Sequence, residues 1–143
     1  LTEHDADVEV ETYWRDHGSY VQRQSIDKMF PKYACKEFYP FKYVINSKLL
    51  DGAFYSDNCI NVNNYNDRID EWYEYYKACI CVPIRAPKEN GGKSKQLAFS
   101  SVGFLTIDNH KGNLEDKVSI DVSKAFADSL YNIFKLINYI NNN

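Results

Sequence analysis

The sequence predicts an α/β sandwich: a central antiparallel sheet of five or six strands with helices on both faces. Three observations predict it. Two apolar runs, 78–84 (ACICVPI) and 99–107 (FSSVGFLTI), are rich in strand formers and are joined by a polar loop carrying Asn90-Gly91-Gly92-Lys93. Such a pair reads as adjacent antiparallel strands. Near the start, apolar and acidic residues alternate with period two. Near the end, apolar residues recur at helical spacing over some twenty positions.

The composition sets bounds. The chain has 143 residues, 44% hydrophobic and 26% charged, with a net charge of -3. That is one globular domain, able to bury roughly two-thirds of its unfolded surface. No repeat or low-complexity linker divides it, so residues 1–143 read as a single domain. The first residue is Leu1 rather than Met, so a domain cut from a longer chain is expected. A mildly acidic chain whose basic residues are scattered is a poor fit to a nucleic-acid backbone. No apolar run reaches the roughly 18–20 residues of a membrane span, and no signal peptide opens the chain. A cytoplasmic protein without nucleic-acid or membrane partners is expected.

The four cysteines are Cys35, Cys59, Cys79 and Cys81. Cys79 and Cys81 are two apart on one strand and share a face. That spacing is wrong for zinc knuckles, and no histidine pair follows. No metal is expected. Reduced, mostly buried thiols are the simpler reading.

In chain order, acids occupy every odd position from Glu3 to Glu11, while Val8, Val10, Thr12 and Trp14 occupy even ones. This reads as a strand over 7–15 with one apolar face. Asp16-His17-Gly18-Ser19 is a turn, and residues 20–23 read as a returning strand. Residues 25–30 read as a helical turn or a loop closed by Pro31. Pro40 opens a short helix with Phe41, Val44, Ile45 and Leu49 at helical spacing. Asp51-Gly52 turns the chain into a short strand over 53–55, which Ser56-Asp57-Asn58 leaves as a loop. Asn61, Asn63, Asn64 and Asn66 with Tyr65 make an Asn-rich loop, most simply turns and caps. A helical turn or two follows over 71–76, beginning near Asp67 or Asp70. Asn109–Asn113 is a turn with Gly112.

From Ser119 or Asp121 to Tyr139 the chain reads as helix. Phe126, Leu130, Ile133, Ile137 and Ile140 are spaced four, three, four, three, a heptad-like seam. Val122, Ala125, Ser129 and Leu136 form a second set beside it. One stripe can pack on the sheet and leave the other for a partner helix. Alternatively, both belong to one broad stripe packed on the sheet.

Pro83 after its strand, the turn, and Val102-Gly103-Phe104-Leu105-Thr106-Ile107-Asp108 resemble the paired strands of a GAF domain, where "vPI … GfL.iD" recurs. Trp72-Tyr73-Glu74-Tyr75-Tyr76-Lys77 and Ile84-Arg85 are similar to a group of bacterial GAF-like sensory modules. The resemblance implies a GAF/PAS-like sandwich and a ligand cavity under a lid. The lid would be the loop carrying Asp57 and Asn58 together with the next helix. It also implies that the C-terminal helix joins the domain to its output and to a twin, giving a homodimer through Phe126, Leu130, Ile133, Ile137 and Ile140.

Several chemistries lack their signatures. The chain has no nucleophile elbow, phosphate-cradling glycine loop, H-E-x-x-H or dinucleotide fingerprint. The cyclic-nucleotide, bilin and haem signatures of GAF domains are not placed, and no cofactor is assigned. One GAF branch, the free methionine-R-sulfoxide reductases, is enzymatic and resembles the paired strands. Its reactive Cys lies in a loop before the strand, whereas Cys79 and Cys81 lie within it. A nucleophilic thiol needs access and a lowered pKa.

The leading expectation is a non-enzymatic sensory module binding an unidentified small molecule, pairing with a second copy, or both. Tyr43, Tyr55, Tyr65, Trp72 and Tyr76 would supply flat surface with polar tips in its cavity, and Arg85 and Asp57 would orient a polar ligand. The alternatives are a thiol reductase of the kind just named and a ligand-free dimerisation module.

Overall fold

A computed structural model of the chain describes residues 9–11, 32–47, 52–66, 72–74, 76–87, 99–114 and 117–142. The first elements are β1 (Glu9–Glu11) and β2 (Lys32–Ala34), paired antiparallel with Val10 opposite Tyr33. A 3-10 turn at Cys35–Glu37 leads into α1 (Tyr39–Asn46). Three strands, β3 (Phe54–Ser56), β4 (Ala78–Pro87) and β5 (Phe99–Asn109), form an antiparallel sheet in the order β3-β4-β5. The 25-residue α2 (Lys117–Asn141) closes the described chain.

The expected GAF/PAS-like sheet of five or six strands is corrected. The described residues hold a three-stranded antiparallel sheet, a separate two-stranded ribbon and two α-helices, a small α+β fold. The reason lies in the partner of the first strand. β1 pairs with residues 32–34, which carried no strand pattern, and forms its own ribbon instead of extending the main sheet. The expected helix over 71–76 is a 3-10 turn at Trp72–Glu74, where the Tyr76 amide donates to the Trp72 carbonyl at 3.1 Å. The strand over 20–23, the segment 25–30, Leu49, the start near Asp67 or Asp70 and the Asn90–Lys93 turn lie outside the described residues.

β4 is the central strand, and its alternating side chains feed two cores. Cys79 and Cys81 point to the α1 side. There they join Cys35, Phe38, Phe41, Val44, Phe54, Cys59, Tyr65 and Tyr76, with Phe104 of β5 packed against them. Ile80, Val82 and Ile84 point the other way, against Ala127, Ile120, Leu130, Tyr131 and Phe134 of α2. A strand covered on both faces needs an uninterrupted apolar run, which is what ACICVPI supplies. Ala127 is fully buried and lets the helix backbone approach the sheet closely. Ser123, also buried, donates its hydroxyl to the Ser119 carbonyl at 2.6 Å, so its own polar group is satisfied under the helix.

The β4–β5 ladder runs from Ala78 opposite Asn109 to Pro87 opposite Phe99, with a shift between Ile84 and Arg85. Ile84 faces Gly103 and Arg85 faces Ser101, so Val102 is the extra residue of a bulge. At this irregularity Arg85 meets α2, forming a forked pair with Asp128 through Nε at 2.9 Å and Nη2 at 2.5 Å.

Asn109–Asn113 is a turn, as the sequence predicts. The Asn109 side-chain oxygen accepts from the amides of Lys111 at 3.0 Å and Gly112 at 2.7 Å. Gly112 has φ 83° and Asn113 φ 56°, left-handed values that suit these two residue types. Among the described residues no helix is long and apolar enough to cross a membrane.

Truncating the central strand tests this arrangement. Ile80 is 1% exposed, so Ile80→Ala is expected to cost about 2–5 kcal/mol of unfolding free energy, read from urea titration. A loss below about 1 kcal/mol would mean that the α2 side of β4 is not a packed core.

Candidate functional site

A cleft of about 500 Å³ lies beside β3, lined by Tyr39, Tyr43, Ala53, Phe54, Tyr55, Asn61, Val62 and Asn63. Ala53, Phe54 and Tyr55 are consecutive. Successive residues of a strand point to opposite faces, so all three line one cleft only where it runs along the strand's edge. β3 is the edge strand, paired with β4 on its other side. Tyr39 and Tyr43 are four apart on α1 and project together, with ring centroids 6.2 Å apart and planes tilted 36°. Tyr43 also stands edge-on to Phe54 at 5.7 Å. Asn61, at the end of the 3-10 turn Cys59–Asn61, and Asn63, just beyond it, complete the lining.

Among the described residues, no charged side chain lines this cleft. Its walls offer flat rings, hydroxyls and amides, which suit a flat, uncharged molecule with hydrogen-bonding groups. The volume falls within the range of small-molecule pockets, roughly 300–1,000 Å³. Tyr55 is pinned: its hydroxyl donates to the Leu114 carbonyl at 2.5 Å, just ahead of α2.

The predicted ligand residues divide into four groups. Tyr43 and Tyr55 meet at the cleft. Asp57 and Asn58 are exposed in the loop after β3, and the Asn58 amide donates to Ser56 Oγ at 3.2 Å, which is turn chemistry. Tyr65, Trp72 and Tyr76 belong to the α1-side core: Tyr65 is fully buried, with Trp72 at 4.7 Å and Tyr76 at 5.8 Å between ring centroids. Arg85 is paired with Asp128 of α2, away from the cleft. Tyr39, Ala53, Phe54, Asn61, Val62 and Asn63 line the cleft but were not singled out as ligand residues in the sequence; the four-residue spacing of Tyr39 from Tyr43 was the visible signal. Of the expected helix seam, Phe126, Ile133 and Ile140 are exposed, Ile137 is half-buried, and Leu130 packs against the sheet.

No family model, curated protein or solved structure matches this chain. The site therefore rests on its own geometry.

The thiols form the other cluster of interest. All four are free and buried, on the α1 side of the sheet. Burial pushes the Cys35 thiol up to about 11 and raises Cys59, Cys79 and Cys81 as well. For Cys79 the neighbouring Cys81 adds to the rise, while Tyr65 opposes it. Tyr65 itself is shifted far upward, first by burial and then by Cys79 and Cys59. Its hydroxyl has no hydrogen-bond partner of good geometry and lies against those two thiols. Among the described residues no group of three or more His, Cys, Asp or Glu could hold a metal.

The sign of these shifts sets a pH dependence. The folded state holds protons that unfolded thiols begin to lose near pH 9. The stabilisation is therefore full below pH 9 and is lost as pH climbs towards the folded values, about 11 for Cys35. Urea midpoints are expected to be flat through neutral pH and to fall from pH 9 upward. In native protein at pH 8, a thiol reagent should label none of the four until denaturant is added. Rapid native labelling of Cys79 or Cys81 would contradict the burial.

Proposed function

We propose that this chain is a regulatory module that takes a small, flat, uncharged molecule in the β3 cleft and reports its presence through α2. The observation that carries the proposal is the double role of Tyr55. Tyr55 borders the cleft and packs against the α2-side core, and its hydroxyl holds Leu114, just ahead of α2. β3 also pairs with β4, whose Ile80, Val82 and Ile84 pack on that helix. A ligand that moves Tyr55 thus acts on the helix through one hydrogen bond and one shared sheet. It shifts the helix only to the extent that it binds the two arrangements with different affinity.

The resemblance of Pro83 and residues 102–108 to the paired strands of a GAF domain, and of residues 72–77 with Ile84-Arg85 to bacterial GAF-like sensory modules, supports the regulatory class. The thiol-reductase alternative has the burial of Cys79 and Cys81 against it, since a protonated, covered thiol is a poor nucleophile.

Native mass spectrometry of the purified protein tests the reading. An added mass of a few hundred daltons, lost on denaturation and absent from Tyr43→Ala, is the expected result. Tyr55→Phe should keep the added mass, since the ring remains, but should abolish any ligand-dependent change in amide exchange at residues 117–123. A bare mass, with no rise in Tm across a panel of neutral aromatic heterocycles, would overturn the proposal.

A further inference from the structure

The outer face of α2 carries a row that the sheet does not use. Val122, Phe126, Ile133, Leu136 and Ile140 are each between 47% and 64% exposed. With Ser129 they are spaced four, three, four, three, four. This is an a/d seam of the heptad kind. It differs from the seam read in the sequence, because the sheet takes Leu130. We infer that this face pairs with the same face of a second copy of the chain, with the two helices antiparallel.

Three features point to a second copy. The seam and its flanks carry no charge. Flanking positions are Ala125, Asn132 and Tyr139 on one side and Ser123, Leu130 and Ile137 on the other, while Asp121, Lys124, Asp128 and Lys135 fall elsewhere on the helix. Two copies therefore meet without like charges opposed. The polar seam residue, Ser129, already donates its hydroxyl to the Ala125 carbonyl at 3.0 Å, so covering it leaves no unpaired donor. The five apolar residues expose roughly 500 Å², within the range of the largest patch on an ordinary monomer. Tyr139 and the small flanking residues bring the face close to the roughly 800 Å² per partner of a standard interface.

The antiparallel direction follows from side-chain volume. The six seam positions are symmetric about residue 131. Antiparallel pairing sets Val122 against Ile140, Phe126 against Leu136 and Ser129 against Ile133. Each layer then joins a smaller residue to a larger one. Parallel pairing stacks Ser129 on Ser129 beside Phe126 on Phe126, a hole next to a bulge in a contact that must be close-packed. Antiparallel pairing also sets opposite helix dipole ends together and closes as an isologous two-fold dimer. The inference does not depend on the cleft holding a ligand.

Light scattering coupled to size-exclusion chromatography tests it on the whole chain. Wild type should run as a dimer, and Ile133→Glu and Leu136→Lys should each raise the dissociation constant about 30-fold or more. Off-seam Lys135→Glu should leave it unchanged, and far-UV circular dichroism should report folded helix in all of them. Mixing Ser129→Cys with Ile133→Cys protein under mild oxidation should give the 129–133 disulfide, whereas Ser129→Cys alone should not crosslink. The native thiols, all buried, do not compete. A monomeric wild type at sub-millimolar concentration, or a dimer indifferent to both seam variants, would overturn the pairing. Efficient 129–129 crosslinking would overturn the antiparallel direction.

Discussion

β4 has no solvent side over its first seven residues apart from Pro83, and the rest of the fold is arranged to make that so. Cys79 and Cys81 need the aromatic layer of Phe38, Phe41, Phe54 and Tyr65 on one face. Ile80, Val82 and Ile84 need α2 on the other. Burying each of the three aliphatic side chains is worth about 1.5–3 kcal/mol, a large share of a small domain's net stability. The two layers cannot be exchanged or removed separately. Without α2 the three side chains meet water. Without α1 and Tyr65 the thiols do, along with the aromatic rings.

The same strand explains why the site and the long helix are connected. β3 is short, and one of its long sides is ladder to β4 while the other borders the tyrosine-lined cleft. α2 is held by β4 from beneath and by Arg85 paired to Asp128 at the bulge. The Tyr55 bond to Leu114 adds a third tie, at the entry to the helix. The regulatory role proposed for the chain would need one element that touches the site and another that leads away, with few contacts between them. β3 and α2 meet that description.

What the sequence made legible was what burial writes into it. A strand covered on both faces leaves an unbroken apolar run, so β4 and its partner β5 were readable, and so was the turn at Asn109–Asn113. α2 was readable as a helix, but its orientation was not. Apolar residues fall on two sides of it, and nothing in their spacing marks which side meets the sheet. Leu130 went inward and Val122 outward because Ala127, small and fully buried, sets the line of closest approach. The sheet size was misread because β1 takes a partner from residues 32–34, a three-residue pairing too short to show a period. Of the aromatic site residues, Tyr65, Trp72 and Tyr76 were drawn into the core, where rings with a polar tip are hard to tell from ligand contacts. The cleft was half visible, through Tyr43 and Tyr55, and its other walls depend on how α1 and the Asn-rich loop converge.

The claim that the body hangs on a doubly covered central strand is tested most directly by native-state hydrogen exchange. Amides of residues 79–82 and 84 should be the slowest in the chain, exchanging only through global unfolding. The sheet-facing part of α2 should exchange with the same free energy and the same denaturant dependence. If β4 amides exchange through a smaller opening, or α2 detaches while they stay protected, the two cores are independent and the account is wrong.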